Sequence, residues 1–195
     1  MVQEILDQDL IARIARNEQE AFRYLVEKYK DMVFRTCLGL LHDTPEAEDI
    51  TQDVFLEVYR SVSFFRGESK LSTWLYRIAI NKSLNQMKRN QKKKSWLRLD
   101  ELVFSRKPEK KEISIPDLNN SQPLEREELG AVLRKAINEL PENQQIAFVL
   151  AKYDELSYKE ISDIMNTSVS SVESLVHRAK TNLQKMLINI YKSYQ

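Results

Sequence analysis

The chain has 195 residues, of which 42% are hydrophobic, 30% are charged and only 3 are glycine. So few glycines argue against a fold of many short strands and favour long helices. No apolar run approaches the length that spans a bilayer, and the N-terminal MVQEILDQDL lacks the layout of a signal peptide, so we expect no direct membrane insertion. The formal net charge is +1, whereas proteins that hold DNA alone usually carry a basic excess.

The reactive side chains do not predict an enzyme. Cys37 is the only cysteine and lies among apolar neighbours, so we predict a small buried hydrophobe in a reduced, cytoplasmic environment. His42 and His177 lie far apart in the sequence without a cysteine beside them, which predicts no metal site. No nucleophile–base pair or phosphate-binding glycine loop is present, so we expect no catalytic residue, cofactor or small-molecule substrate.

Apolar residues at helical spacing predict a short helix over Asp9–Arg16 and a longer one over Glu20–Leu41. The next four residues, HDTP, break the pattern. Thr44 is the predicted N-cap of the following helix, because Pro45 suits the first helical position.

The helix predicted over Pro45–Ser63 carries an unusual run of carboxylates. These are Glu46, Glu48, Asp49, Asp53 and Glu57, with no basic residue before Arg60, and the apolar side is Ile50, Val54, Phe55 and Val58. Such like charges repel one another. Attraction to the positive end of the helix dipole accounts for the first three carboxylates but hardly for Asp53 and Glu57. The alternatives are a solvated acidic face or a surface for a basic partner protein.

The stretch Phe64–Arg89 reads FFRGESKLSTWLYRIAINKSLNQMKR. Its apolar face comprises Leu71, Trp74, Leu75 and Ile78, and a second stripe comprises Arg77, Asn81, Asn85 and Lys88. Amide and cationic side chains can bond base edges and phosphates, although an ordinary amphipathic helix with a solvated face has the same pattern. Trp74 is predicted to be core. The basic residues that follow also suit a helix C-terminus, so they indicate nucleic acid only weakly.

From about Ser95 to Pro123 the helical pattern dissolves, and prolines interrupt it at Pro108 and Pro116. We therefore predict a first domain over residues 1–94, a linker over 95–123 and a second domain over 124–195.

Residues 156–183, LSYKEISDIMNTSVSSVESLVHRAKTNL, fit a helix-turn-helix. The first helix is predicted over Tyr158–Met165, with Asn166 in the left-handed conformation at the turn. Ser168 or Ser170 is expected to cap the second helix, and Ser170 with Glu173 has the spacing of a capping box. Helical bundles use similar spacing, so this motif alone is moderately specific.

Four segments together resemble the extracytoplasmic-function sigma factors of bacteria: AFRYLVEKYKDMVFR, AEDITQDVFLEVY, FRGESKLSTWLYRIAIN and LPENQQIAFVLAKYDELSYKEISDIMNTSVSSVESLVHRAKTNL. They occur in the order and spacing of that family. The resemblance implies an all-α protein of two small helical domains joined by a flexible linker, the C-terminal one containing a helix-turn-helix. It implies that the first domain binds core RNA polymerase and reads and melts the minus-ten promoter element. The second domain would read the minus-thirty-five element, and the polymerase would perform the catalysis.

The resemblance also implies roles for individual residues. Those expected to contact polymerase are Asp49, Ile50, Gln52, Asp53, Phe55 and Glu57. Those expected at the minus-ten element are Phe64, Arg66, Glu68 and Ser69 as a base pocket, Asn81 and Asn85 as base-edge readers, and Arg77, Lys82, Lys88 and Arg89 as phosphate contacts. Those expected at the minus-thirty-five element are Ser168, Ser170, Ser171, Glu173, Ser174, His177, Arg178 and Lys180.

The expected partners are core RNA polymerase, promoter DNA and an anti-sigma factor. Two other functions remain open from the residues alone. A stand-alone helix-turn-helix regulator would bind duplex DNA without polymerase, whereas a helical protein–protein adaptor would use no DNA. The acidic helix favours the sigma factor over the stand-alone regulator.

Overall fold

The computed structural model describes residues 7–104 and 123–192, and the regular structure in those ranges is helical throughout. Side chains are described for residues 7–93, 128–190 and 192. In chain order the α-helices are α1 (Asp7–Ala15), α2 (Gln19–Leu41), α3 (Thr44–Ser61), α4 (Leu71–Phe104), α5 (Pro123–Asn138), α6 (Glu142–Lys152), α7 (Tyr158–Met165) and α8 (Val169–Lys192), with a 3-10 turn at Val62–Phe64. The all-α prediction is confirmed. None of the described helices is long and apolar enough to cross a membrane.

The junction between α2 and α3 depends on two residues that were predicted only as part of a helix break. His42 ends α2 in the left-handed conformation (φ 57°), and its N–H donates to the Leu38 carbonyl at 2.8 Å. Asp43, with φ −133° and ψ 119°, then accepts a hydrogen bond from the Glu46 N–H at 2.9 Å. The prediction of Thr44 as the N-cap is therefore wrong. A cap requires an extended backbone, and Thr44 is already helical.

Helix α4 has 34 residues and continues to Phe104. The prediction that helical order ends at about Ser95 is therefore wrong, because the backbone remains helical through the first part of the predicted linker. Residues 105–122, which make up most of the rest of that linker, lie outside the described residues. The assignment of 95–123 as the boundary between domains stays a prediction.

Two helical units have cores of their own. Helices α1–α4 bury a first core that includes Leu25, Val33, Val54 and Leu75, and Cys37 is fully buried within it, as predicted. Burial raises the pKa of the Cys37 thiol. Helices α5 and α8 share a smaller core formed by Ala136, Ile137, Leu140, Ala179 and Leu183.

A third cluster of buried residues joins the two units. From the first unit it contains Leu40 of α2 with Tyr76, Ile80 and Leu84 of α4. From the second unit it contains Ile146, Ala147, Val149, Leu150, Ile161, Ile164, Val172 and Val176. Helices α2 and α4 therefore pack directly against α6 and α7. We call this contact the domain seam, and it was not predicted from the sequence.

The predicted helix-turn-helix forms from α7 and α8. Asn166 ends α7 with φ 51° and ψ 51°, as predicted. The second helix is capped by Ser168, whose Oγ accepts from the Ser171 N–H at 3.1 Å. The predicted capping box of Ser170 and Glu173 is wrong, because Ser170 already lies inside α8. A capping box forms instead at the start of α7, between Ser157 and Glu160.

Candidate polymerase and promoter interfaces

Helix α3 presents an acidic face to solvent. Asp49, Gln52, Asp53 and Leu56 are exposed, and their spacing of three and four residues aligns them along one side of the helix. Three of these four were predicted as polymerase contacts. We call these four residues the acidic face of α3.

Two other predicted polymerase contacts lie elsewhere. Ile50 and Phe55 are 8% and 6% exposed and belong to the first core, so they support α3 from beneath and leave no surface for a partner. The exposed apolar side chains are instead Leu56, at 51%, and Tyr59, at 45%. Neither was predicted from the sequence. The sequence nevertheless contained a signal for their exposure. Leu56 and Tyr59 follow Gln52 by four and seven residues, a spacing that places them on the side of the helix opposite Ile50 and Val54.

The carboxylates at the two ends of α3 are paired with α4. Glu46 accepts from the Asn90 amide at 2.8 and 2.9 Å. Glu57 forms a salt bridge of 3.5 Å with Lys82. A predicted polymerase contact and a predicted phosphate contact thus neutralise each other within the first unit. Among the described side chains, Asp49 and Asp53 of the acidic face form no such pair with α4.

The loop before α4 exposes an aromatic ring. Phe64 is 80% exposed, which is unusual for a side chain of this size in a folded chain. Gly67 has φ 72°, a conformation that favours glycine. Arg66 and Glu68 are exposed and Ser69 is half-buried. Phe65 turns the other way and packs on Trp74, with ring centroids 5.1 Å apart, so Trp74 supports the loop from the core side as predicted.

The polar stripe of α4 is divided between solvent and the domain seam. Asn81 and Asn85 of the stripe are exposed, as is the neighbouring Arg89. Arg77 is engaged: its Nε donates to the Ile164 carbonyl at 3.0 Å and its Nη2 to the Asp163 carbonyl at 2.6 Å. Lys88 is also engaged, forming a salt bridge of 2.9 Å with Glu142 at the start of α6. Two of the predicted phosphate contacts therefore bind the second helical unit in this structure.

The outer face of the helix-turn-helix is open. The predicted minus-thirty-five residues are exposed except Ser171, which is half-buried. Tyr158 of α7 completes a groove lined by Glu173, Ser174, His177, Arg178 and Lys180. Ser168 makes hydroxyl–hydroxyl contacts of 3.1 Å with Ser170 and 2.8 Å with Ser171, so all three serines lie together at the N-terminus of α8.

Two titratable groups, Asp154 and His42, are half-buried at the seam, and burial shifts the pKa of each in favour of its neutral form. Asp154 accepts from the Thr36 hydroxyl at 3.0 Å. Burial raises the pKa of the Asp154 carboxyl to about 6, against the opposing effects of Thr36 and Arg35, and Tyr76 faces the same carboxyl.

His42 lies near Tyr153, with ring centroids 6.4 Å apart. Burial, assisted by the nearby Arg134 guanidinium, lowers the pKa of the His42 imidazole to about 4. The seam therefore disfavours both the carboxylate form of Asp154 and the imidazolium form of His42.

Comparison with protein families assigns both helical units. The family model "Sigma-70 region 2" matches residues 25–93, which cover most of α2, α3 and the first part of α4. The family model "Sigma-70, region 4" matches residues 131–183, which cover α6, α7 and parts of α5 and α8. Both units are matched, so the stand-alone helix-turn-helix regulator is not favoured.

The chain is similar along most of its length to sigma factors from several bacteria. It is 33% identical to the RNA polymerase sigma-H factor of Pseudomonas aeruginosa, covering 93% of both chains. It is 32% identical to the ECF RNA polymerase sigma factor SigW of Bacillus subtilis, covering 94% of this chain and 98% of SigW. It is also 32% identical to the ECF RNA polymerase sigma-E factor of Escherichia coli, covering 92% and 93%.

Solved structures share the fold. CnrH, in a complex with the cytosolic domain of CnrY, is 22% identical, with a TM-score of 0.62 over 94% of this chain and 97% of CnrH. The sigma factor RpoE of Bartonella quintana, in a complex with the anti-sigma factor NepR, is 23% identical, with a TM-score of 0.56 over 85% and 96%. The matched regions, the relatives and the helix-turn-helix agree, and the chain belongs to the extracytoplasmic-function sigma factors of bacterial RNA polymerase.

Proposed function

We propose that this sigma factor docks on core RNA polymerase through the acidic face of α3 and directs promoter-specific initiation. In this proposal, α4 and the loop that precedes it read and melt the minus-ten element, and α8 reads the minus-thirty-five element. The observation that carries the proposal is the acidic face itself. Its carboxylates and exposed Leu56 are held outward by a buried apolar side that includes Ile50 and Phe55.

The chemistry of the acidic face suits a basic protein surface better than DNA. Asp49 and Asp53 would repel phosphates, whereas facing cations of a partner would steer association and fix its register. Leu56 and Tyr59 add exposed apolar area next to these charges, and buried aromatic and aliphatic anchors commonly dominate the energy of an interface. The net charge of +1 agrees with a subunit that reaches DNA inside a larger complex, since it need not neutralise phosphates unaided.

The test is charge reversal on this face. Asp49→Arg with Asp53→Arg should weaken binding to core polymerase by about 100-fold or more, because each like-charge contact opposes association. Asp31→Arg with Glu139→Arg is the matched control, since both residues are exposed and the change in net charge is the same. Affinity can be measured by fluorescence anisotropy of the labelled chain. Equal affinities for the two variants would overturn the docking assignment.

At the minus-ten element, unpaired bases need stacking surfaces and hydrogen-bonding partners. Phe64 offers an exposed ring, and stacking of a base on an aromatic side chain is worth about 1–3 kcal/mol. Asn81 and Asn85 are exposed one turn apart on α4, and their amides can both donate and accept at base edges. Asn81→Ala should therefore impair promoter opening more than duplex binding. Equal loss in both assays would contradict a role in melting.

At the minus-thirty-five element, α8 would enter the major groove with Ser174, His177 and Arg178 toward the bases. Arg178 is the strongest candidate for direct readout, because guanidinium groups bind guanine in a bidentate manner. Glu173 lies at the rim of the same groove, where a carboxylate accepts from the cytosine amine and repels phosphate. We therefore expect a preference for cytosine opposite Glu173.

The remaining elements of the proposal concern partners and chemistry. We infer that an anti-sigma factor holds the chain inactive, because RpoE of Bartonella quintana, which shares this fold, forms a complex with the anti-sigma factor NepR. The test is whether a co-purified protein inhibits run-off transcription and is displaced by core polymerase. We assign no reaction to this chain, since the polymerase makes the RNA, and we place it in the cytoplasm beside that enzyme.

A further inference from the structure

Helix α1 lies beneath the loop that joins the 3-10 turn to α4. It contacts the 3-10 turn, and its buried residues Leu10 and Ile14 share the first core with Val62 of that turn. At Gly67, in the middle of the loop, a Cβ would lie 3.3 Å from the side-chain amide nitrogen of Gln8. Helix α1 therefore approaches the loop at its start and at its middle.

A third contact joins α1 to the end of the loop, where it caps α4. Helix α4 begins at Leu71, so Lys70 occupies the N-cap position, where a side chain that accepts a hydrogen bond is preferred. Lysine has no acceptor. The Leu71 N–H donates instead to Asp7 Oδ2 at 3.2 Å, from a residue 64 positions earlier in the chain. A carboxylate at this place also suits the positive end of the helix dipole. Asp7 thus supplies from α1 the cap that Lys70 cannot provide.

Asp7 is itself held by α2. Its carboxylate faces the phenol of Tyr29, and the Lys28 ammonium lies near both. Burial and the Asp7 carboxylate raise the pKa of the Tyr29 phenol, against the opposing effect of Lys28. The phenol therefore stays protonated and can donate to the carboxylate. Lys28 Nζ lies 5.4 Å from the centre of the Tyr29 ring. Side chains with several partners of this kind hold a defined position, as required of a group that positions others.

We propose that α1 positions the loop before α4 for minus-ten recognition, and that Asp7 is the positioning residue. We call the hydrogen bond from the Leu71 N–H to Asp7 the clamp. The clamp fixes the end of the loop that lies opposite Val62, so Phe64 is held ready for an unpaired base before DNA arrives. Such preorganisation strengthens binding because less freedom is lost on association. The part played by the loop rests on the function proposed above, whereas the clamp itself does not.

The clamp affects selectivity among bases more than affinity. Stacking on an exposed ring tolerates any sequence, since every base has a π-face. Discrimination requires polar groups at fixed positions around the stacked base. Three such residues, Arg66, Glu68 and Ser69, lie between Phe64 and the clamp at Leu71. Without the clamp these groups move relative to the ring, and one base is distinguished less well from another.

Hydrogen exchange tests the clamp without DNA. Asp7→Ala removes the acceptor, so the Leu71 amide should exchange about fivefold faster, the factor expected from loss of a helix cap. Asp7→Asn keeps an acceptor oxygen and should restore most of the protection. Asp9→Ala is the matched control, because Asp9 is an exposed carboxylate of the same helix. Equal exchange of the Leu71 amide in Asp7→Ala and Asp9→Ala would overturn the clamp.

Base selection by the holoenzyme tests the role of the clamp in recognition. The probe is a DNA duplex library with a short unpaired bubble of random sequence. Core polymerase with the unaltered chain should enrich particular bases in the bubble, and Asp7→Ala should reduce this enrichment by about fivefold. Asp9→Ala should leave it unchanged. Total binding of the library should change less, because phosphate contacts supply most of it. Full enrichment by Asp7→Ala would refute the positioning role.

A double-mutant cycle separates positioning from general destabilisation. If Asp7 acts through the loop, Asp7→Ala should change enrichment little once Phe64→Ala has removed the stacking ring. Equal fold-changes with and without that ring would mean that Asp7 supports the fold in general, contrary to the inference. Phe64→Ala alone decides the function proposed for the loop. If it leaves enrichment unchanged while hydrogen exchange still reports the clamp, the loop does not read the minus-ten element.

Discussion

Replacing Gly39 with alanine makes helix propensity and packing predict opposite outcomes. Alanine is favoured over glycine in a helix by about 1 kcal/mol, so α2 considered alone would become more stable. In the closed form, by which we mean the chain with the domain seam formed, however, the new Cβ would lie 2.8 Å from Val149 Cγ1. Overpacking of this kind costs about 1–3 kcal/mol. We therefore expect the closed form of Gly39→Ala to be weakened.

The expected magnitude follows from these two terms. Stabilisation of α2 should act equally on the closed form and on the open form, in which the seam is broken, because α2 belongs to a unit with a core of its own. The steric cost acts on the closed form alone. The closing equilibrium should therefore fall by roughly 5- to 150-fold, the factor that corresponds to about 1–3 kcal/mol. Energy transfer between fluorophores on Glu48→Cys and Gln184→Cys, both exposed positions, measures this change directly in a Cys37→Ala background.

Two controls separate the steric cost from other effects. Gly130→Ala makes the same chemical change in α5, where the nearest neighbour is a flexible guanidinium of Arg134 at 3.1 Å. It should raise stability by up to about 1 kcal/mol and leave energy transfer unchanged. Val149→Ala, combined with Gly39→Ala, removes the opposing methyl groups and should restore closure. If Gly39→Ala instead stabilises the chain with energy transfer intact, α2 and α6 do not approach as described.

Three further outcomes are expected from changes elsewhere in the chain. Asp154→Asn should remove the opposing titration of Asp154 and leave that of His42. Packing of the two units in this variant should therefore weaken as pH falls below about 6.5, where the imidazole becomes charged once the seam is broken. His42→Asn should show the reverse: packing of the two units should strengthen as pH falls from about 6 toward 4, because protonated Asp154 tolerates burial. If the energy transfer of the two variants changes with pH in the same direction, both assignments are contradicted. Arg178→Ala should weaken binding to a duplex that carries the minus-thirty-five element by about 1–3 kcal/mol, and it should spare transcription from a pre-melted template. Loss of both activities would contradict a role confined to the minus-thirty-five element. Asp43→Ala should lower the free energy of unfolding by about 1 kcal/mol in urea titrations, whereas Thr44→Ala should change it little, since Asp43 caps α3.

The helices themselves could be predicted because their signals are local. The apolar spacing in α2 and the left-handed Asn166 at the end of α7 each follow from a few neighbouring residues. Capping residues were harder to choose. Asp43 and Thr44 are adjacent and both suit a cap, and only the extended backbone of Asp43 decides between them. The same ambiguity left both Ser168 and Ser170 as candidate caps of α8, and the structure selects Ser168.

The exposed and buried sides of α3 were only partly predictable. Carboxylates are easily recognised as surface residues, and Asp49 and Asp53 are indeed exposed. Apolar residues at both Phe55 and Leu56 make the boundary of the buried face uncertain by one position. The structure places that boundary between them, with Phe55 at 6% and Leu56 at 51% exposed. Adjacent helical residues point about 100° apart, so one of the two necessarily leaves the core.

The domain seam could not be predicted, because it joins residues far apart in the chain. Thr36 and Asp154 are hydrogen-bonded across a sequence separation of 118 residues, and nothing in either local segment specifies the other. One local signal was nevertheless present. Gly39 interrupts an otherwise regular helix without a turn or cap to explain it, and such a glycine indicates the close approach of another backbone or helix.

The contact between Arg77 and the end of α7 has a consequence for ionic strength. The carbonyls of Asp163 and Ile164 carry partial charges, and Arg77 meets them in a half-buried position. Phosphates carry full charges, and their affinity for a protein falls steeply with added salt as counterion release becomes less favourable. If Arg77 contacts promoter phosphate, as we propose, the same guanidinium would have one partner that dissolved ions weaken strongly and another that they weaken only slightly. On that proposal, rising salt inside the cell would shift Arg77 from promoter to α7, and this sigma factor would become less active under hyperosmotic conditions without any change in its abundance.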